Sequence, residues 1–510
     1  MPRRRSSTIL WLCAHALLFA LIAPLGCTQK AVIIKPWATD TALQEQASDS
    51  GDPATTLTNG VEEFEIKGLQ VIFKRTPGKP VVSVGAYFRG GSAQTAADEA
   101  GLDMMTLRLL SSGGTLSRPR DAMNAAIGLL GASFSSDAGA HFSVLSMQAL
   151  HKNWDASFEI FADMLQNPAW PADEFERQRA RHLEFLSSLE ESADRYVSLL
   201  ADSLLYEGHP YAQRAWGNLE NIGRFNLGDL RARHQKLLVK KRMLFVIVGD
   251  LERAELEEKL SAAFASLPDG ANPEQPLPAL SVPATRMASY HKATPTSYVL
   301  AKFAAPAPDE PDYYPLLAGL AVLSDRLFEK VRSDMQLSYA VAAGLNTDPI
   351  NSGYLYVSSS SAELAYSQIL DEVESMQDWL INERELEQQI AIFVTGFFMD
   401  LESLHAQRQM LARAELLRGD WRKASDIFVS LRAVSPRQVR DAMRKYVQKL
   451  QIGYYGPSDG FRESLGQAEP NDADRVLLQT GPVPSTSCPD APPAPTEAPA
   501  MTEQPDAPTE

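Results

Sequence analysis

GLDMMTLRLLSSGGT, Gly101 to Thr115, is an apolar run with helical spacing that stops on a pair of glycines. Side chains three and four positions apart share a helix face, so Met104, Leu107 and Arg108 fall on one side. A run of this kind predicts a helix packed as core.

Upstream, "VEEFEIKG", "LQVIFKRT" and "PVVSVGAYFRGG" alternate or are β-branched, which predicts three strands. Downstream come a helical pattern at 120–130 and the hairpin "ASFSSDAGAHFSVLSMQAL", turning around Asp137, Ala138 and Gly139. Three long helical stretches are expected between about 153 and 238, then the strand "RMLFVIVGD" and the helix "ERAELEEKLSAAF".

The second half repeats this plan. Strands "RMASYHK" and "SYVLAKFAAP" precede a helix from Tyr313 to Met335, and strands "SYAVAAGL" and "GYLYVSS" follow it. Helices are expected near 361–380, 383–417, 421–431 and 435–448, with the closing strand "LQIGYYGPSDG" answering "LFVIVGDLERA". Between the halves, the proline-rich 268–284 reads as a linker. The expected fold is α+β: two tandem similar lobes, 60–267 and 285–460, each an antiparallel-rich sheet packed with helices.

The 510 residues are ordinary for a globular chain, with 45% hydrophobic and 22% charged residues. A net charge of −16 argues against nucleic acid or an anionic membrane surface as the main partner. The N-terminus has a basic start at Arg3 to Arg5 and a short apolar run from Ile9 to Ile22. That is the layout of an export signal over 1–27. "PLGC" resembles a bacterial lipobox, with Cys27 as the lipidated residue, although Pro24 and Leu25 depart from the usual order; plain secretion is the alternative. With Thr28 next, the expected location is the bacterial envelope: periplasmic and lipid-anchored at the outer membrane. Cys13 lies in the signal and Cys488 in the tail, so the body contains no disulfide framework. Residues 28–59 read as a tether. The tail, 461–510, has nine prolines between 481 and 510 and reads as disordered.

In their order, these segments resemble the insulinase, pitrilysin and mitochondrial processing peptidase family of zinc peptidases. The resemblance is carried by "NGVEEFEIKGLQVIFKRTPGKPVVSVGAYFRGGSAQTAADEAGL", by "GHPYAQRAWGNLENIGRFNLGDLRARHQKL" with "FVIVGD", and by "SDRLFEKVRSDMQLSYAV". It implies that each lobe is part of one half of a metallopeptidase clamshell. In active members the helix after Gly-Leu carries H-x-x-E-H, two imidazoles at i and i+4 on zinc and a glutamate as base. Here those places hold Met104, Leu107 and Arg108, and a guanidinium has no lone pair to give. The third ligand, a later glutamate, aligns with Glu184, 76 residues beyond Arg108; a one-residue shift would put Leu183 there. An exposed charge is the other reading of Glu184, and His209 in "GHPY" reads as a turn residue. No cofactor is expected on this chain, and an autonomous peptidase is the least favoured of the three classes.

The resemblance also implies what remains. In two-chain members one subunit supplies zinc, and the other an arginine and a tyrosine set against the substrate backbone. Arg332 and Tyr339 in "RLFEKVRSDMQLSYAV" match that element. A guanidinium and a phenol both donate to a peptide carbonyl and to the oxyanion formed from it. The plainer reading pairs Arg332 with Glu329 or Asp334 and leaves Tyr339 filling a strand position. The glycines common before this helix are replaced by "LAGLAVLSD". The expected role is a noncatalytic subunit whose partners are a zinc-bearing subunit of the same family and an extended peptide. Zinc is then expected only in the partner. A structural protein in an envelope assembly is the competing class.

Overall fold

The computed structural model describes residues 57–457 and residue 461; the signal, Cys27, residues 28–56 and 462–510 lie outside the described residues. The chain builds two sheets. The first has six strands: β1 (Val61–Ile66), β2 (Leu69–Arg75), β3 (Val81–Arg89), β4 (Ser133–Ala138), β5 (Phe142–Leu150) and β6 (Met243–Gly249). Their spatial order is β1-β2-β6-β3-β5-β4. The second has β7 (Arg286–His291), β8 (Ser297–Ala305), β9 (Ala340–Leu345), β10 (Asn351–Ser359) and β11 (Gln451–Gly456), in the order β7-β11-β8-β10-β9.

The repeat in the sequence is a repeat in topology. In each sheet the last strand in the chain pairs in parallel with the opening one, β6 with β2 and β11 with β7; the other pairs are antiparallel. The first lobe adds only the edge strand β1. The helix after β3, Leu102–Ser112, packs against edge strand β4, as the helix after β8, Tyr313–Leu327, packs against edge strand β9.

Two expected helical regions divide differently. Residues 153–238 form five α-helices, not three long ones: Trp154–Gln166, Ala172–Ser187, Ala193–Leu205, Leu219–Arg224 and Leu227–Leu237. The extra breaks come from N-caps: Asn218 accepts from Asn221 N, and Asn226 forms a capping box with Asp229. Likewise 383–417 splits into Glu383–Asp400 and Leu404–Arg418, where Ser403 accepts from Ala406 N at 3.1 Å.

Each lobe lends a helix to the other. Leu404–Arg418 lies on the first sheet, where Leu411, Ala412 and Leu416 pack with Ile72, Tyr87, Leu244 and Val246. Ala193–Leu205 lies on the second sheet, with Val197, Leu200 and Leu204 against Ala288, Leu300 and Tyr455. Burying such side chains contributes roughly 1.5–3 kcal/mol each. The region 268–284 has no regular structure but is fastened to the first lobe: Gln94 donates to Gln275 O at 2.7 Å, and His209 donates to Pro278 O at 2.9 Å. Leu57 is buried beside Leu401 and Leu404, so the packed body starts before residue 60.

Candidate functional site

The Leu102–Ser112 helix starts at Gly101, whose φ of 94° is one that an L side chain rarely adopts. A Cβ there would also meet Gly217 Cα at 2.9 Å, so two glycines let the helix start touch the 210–217 loop. Leu107 is fully buried against the first sheet with Leu110, Val84 and Phe88. Met104 packs in a separate cluster with Met105, Leu109, Phe175 and Ile222. These two side chains are core, and neither position can hold or serve a metal.

Arg108 adds a fixed cation. Its guanidinium nitrogen lies 3.2 Å from His182 Nδ1 on the Ala172–Ser187 helix. A guanidinium only donates, so Nδ1 accepts and the imidazole proton sits on Nε2, which donates to Trp216 O at 2.8 Å. Burial above all, with the nearby Arg108 charge opposing protonation, brings the His182 pKa down to about 4, against the acceptor role of Trp216 O. The imidazole is therefore neutral at ordinary pH, as the relay requires.

Glu184 does not join this site. It is exposed, two residues beyond His182 and so on another side of the helix. The face turned to the Leu102–Ser112 helix is Phe175, Gln178, His182 and Leu186, with Gln178 donating to Ser112 Oγ at 3.1 Å. Alignment by residue count missed His182; the apolar row of Phe175 and Leu186 was the signal that would have found it. Among the described residues no group of three His, Cys, Asp or Glu side chains is placed to hold a metal ion. The residues present do not fit zinc.

His209 caps the short helical turn Pro210–Ala212, accepting from Tyr211 N at 3.1 Å. The Tyr211 hydroxyl in turn touches His141 Nε2 from the β4–β5 turn and accepts from Ile350 N of the second lobe at 3.4 Å. Asp103, between the two faces of the Leu102–Ser112 helix, is held by Arg233, which also pairs with Glu99 at 3.2 Å.

Arg332 and Tyr339 are brought together. After Leu327 the helix widens into a π-helical segment, Phe328–Asp334, a deviation often found at functional sites. Just past its end, Gln336 takes a φ of 55°, and the chain then turns into edge strand β9. The Arg332 guanidinium carbon stands 4.5 Å above the Tyr339 ring and 4.7 Å above the Phe328 ring. Tyr339 is 81% exposed and fills no core position. Neither Glu329 nor Asp334 forms an ion pair with Arg332 among the described residues. No described helix is long and apolar enough to cross a membrane.

Comparison with known proteins gives two family matches: Insulinase (Peptidase family M16) over residues 70–216, and Peptidase M16 inactive domain over residues 224–393. The non-peptidase homolog YmxG of Helicobacter pylori is 24% identical over 326 residues, 61% of this chain and 73% of that one. Mitochondrial cytochrome b-c1 complex subunit 1 of Bos taurus is 26% identical over 217 residues, 42% of this chain and 44% of that one, so the likeness spans less than half of the bovine protein. A crystal structure of a peptidase M16 inactive domain from Pseudomonas fluorescens shares the fold, with a TM-score of 0.72 at 21% identity over 78% of this chain and 99% of that one.

Proposed function

The chain belongs to the M16 (insulinase) peptidase family, and from that premise we propose that it is the noncatalytic subunit of a two-chain zinc peptidase of the processing-peptidase type. It binds extended peptide and contributes Arg332 and Tyr339 to the active site of a zinc-bearing partner of the same family. The reading rests on one observation: an exposed tyrosine held by an arginine at the root of an unpaired sheet edge. An extended peptide can add to such an edge through its backbone, and both side chains can then donate to its carbonyls. The N-terminal pattern supports an envelope location, with Cys27 lipidated and the body periplasmic at the outer membrane.

A second reading, a structural pseudopeptidase within an envelope assembly, is favoured by the likeness to a cytochrome b-c1 complex subunit. The two part on one experiment. The native protein is co-purified with its partner, and turnover per assembled heterodimer is measured for Arg332→Ala and Tyr339→Phe. Loss of one oxyanion donor typically costs 10²–10³ in rate. Here about 10- to 100-fold is expected, since the partner's zinc carries part of the charge. Both side chains are at the surface, so melting temperatures should stay level. Unchanged turnover in both variants would leave the structural reading standing.

A further inference from the structure

We infer that Phe328 is the positioning residue of the proposed site: its ring, with that of Tyr339, sets the Arg332 guanidinium in place before any peptide arrives. The consequence for turnover rests on the function proposed above; the placement of Arg332 is a property of this chain alone.

A free arginine side chain spreads over many rotamers, and fixing it costs entropy. Ion pairs and hydrogen bonds can do the fixing, but they spend the donors that they fix. Arg332 is held in another way. Its guanidinium carbon lies 4.7 Å over the Phe328 ring and 4.5 Å over the Tyr339 ring, and its nitrogens engage no acceptor among the described residues. The ring faces attract the cation without using its N–H groups, so its donors stay available for a carbonyl or an oxyanion. Tyr339 can itself donate to a peptide through its hydroxyl. Phe328 has no polar group, so placement is all that it can contribute.

The backbone beneath this contact is firmly set. Val331 is fully buried in the core of the second lobe, which fixes the residue before Arg332. Lys330 pairs with Glu372 at 2.8 Å and Arg326 with Glu385 at 2.7 Å, tying the segment to the helices Ala362–Asp378 and Glu383–Asp400. Within the π-helical turn, Ser333 Oγ donates to the Phe328 carbonyl at 3.3 Å, and Met335 N donates to the Lys330 carbonyl at 3.0 Å. Phe328 and Arg332 stand about one turn apart in it, so the turn itself sets one side chain beside the other.

The test is a double-mutant cycle on the assembled heterodimer, with an internally quenched decapeptide that the wild type cleaves as the probe. Phe328→Met removes the ring at similar volume, and Phe328→Leu does the same should the methionine variant fold poorly. Phe328→Tyr keeps the ring. Loss of the ring should lower kcat about 2- to 30-fold, the span of one cation–π contact, and leave KM near its wild-type value. The tyrosine variant should keep most of the rate. In an Arg332→Ala background Phe328→Met should change nothing further, because no cation is left to place. A merely structural phenylalanine would slow turnover by the same factor in both backgrounds. That result, or wild-type kcat in Phe328→Met while Arg332→Ala is slow, overturns the inference alone. Turnover unmoved by Arg332→Ala overturns the function proposed above and the positioning role with it. Placement is read separately by NMR on the chain alone, made with isotope-labelled arginine. The Arg332 Nε–H signal should carry a ring-current shift that Phe328→Met reduces and Phe328→Tyr retains. An Arg332 signal that Phe328→Met leaves in place overturns the inference whatever the partner does.

Discussion

Neutral His182 is what allows the Arg108 guanidinium to sit inside the first lobe with an imidazole as acceptor. A protonated imidazole would face the guanidinium with a second donor and a second charge, so the relay exists in one protonation state. The folded pKa of about 4 lies below the ordinary 6.5, so the folded state binds the proton less readily than the unfolded one. The sign follows: this contribution is complete above pH 6.5, falls as pH drops from 6.5 toward 4, and is exhausted below that. The window is worth roughly 3 kcal/mol. His141, His234 and His405 are also held low by burial, so the wild-type curve alone does not isolate His182. His182→Gln does, since an amide can accept from Arg108 and donate to Trp216 O without titrating. Chemical denaturation across pH should show wild type losing roughly 3 kcal/mol more than the variant between pH 6.5 and 4. Parallel curves would show that the relay is not the titrating element. The residue pattern told only that the zinc ligands are missing. That Arg108 would pair with His182 was hidden because the pair depends on how two helices separated by a β-hairpin and two further helices rotate against each other.

At the scale of elements, the Leu404–Arg418 helix is joined to the first sheet by a buried arginine as well as by apolar packing. Arg408 is fully buried; its guanidinium donates to Ser83 Oγ at 3.0 Å and to the Tyr87 hydroxyl at 2.5 Å, and meets His405 Nδ1 at 3.1 Å. All three partners are neutral acceptors. Space for it depends on Gly85, because a Cβ there would collide with the Arg408 guanidinium and come within 2.5 Å of Tyr87 Cε2. Gly85→Ala alone should therefore destabilise the protein by about 2–4 kcal/mol through overpacking and displaced hydrogen bonds. In an Arg408→Ala background the same change should cost much less, since the clashing group has gone. Denaturant midpoints for the four proteins give the coupling, and additive costs would mean that the two residues do not share the space. Strands β1 to β6 were legible from alternation and branching, since a strand's face follows from its own residues. The break at 401–403 was not, because Leu401 and Leu404 keep helical spacing and only the Ser403 cap ends the pattern. Arg408 could not be assigned either: a lone arginine on an apolar helix face reads as a solvent-side charge until the other lobe's sheet is placed beneath it.

For the whole molecule, the internal repeat was visible in the order of strands and helices, but the exchange of helices between lobes was not. Ala193–Leu205 belongs to the first half of the chain and helps form the core of the second sheet. Leu404–Arg418 does the reverse. Around them the contact continues in polar pairs, with Tyr455 donating to Glu190 O at 3.0 Å and Tyr211 joining the β4–β5 and β9–β10 turns. Neither lobe can bury both faces of its own sheet, so the two should unfold together although a proline-rich linker separates them. Cutting that linker should change little. A protease site placed at Ser281, which is exposed and beyond the Pro278 contact, would give two fragments without touching either exchanged helix. The fragments should co-elute as one particle and melt in a single transition, a few degrees below the intact chain because the covalent link no longer limits the unfolded state. Either fragment made alone should aggregate, since the first lacks the cover of Leu411, Leu416 and Phe428 on its sheet and the second lacks that of Val197, Leu200 and Leu204. Size exclusion and calorimetry on the cut protein decide the matter. Separation of the fragments without denaturant, or two resolved transitions in the intact chain, would show the lobes to be independent domains and the exchanged helices to be mere surface packing.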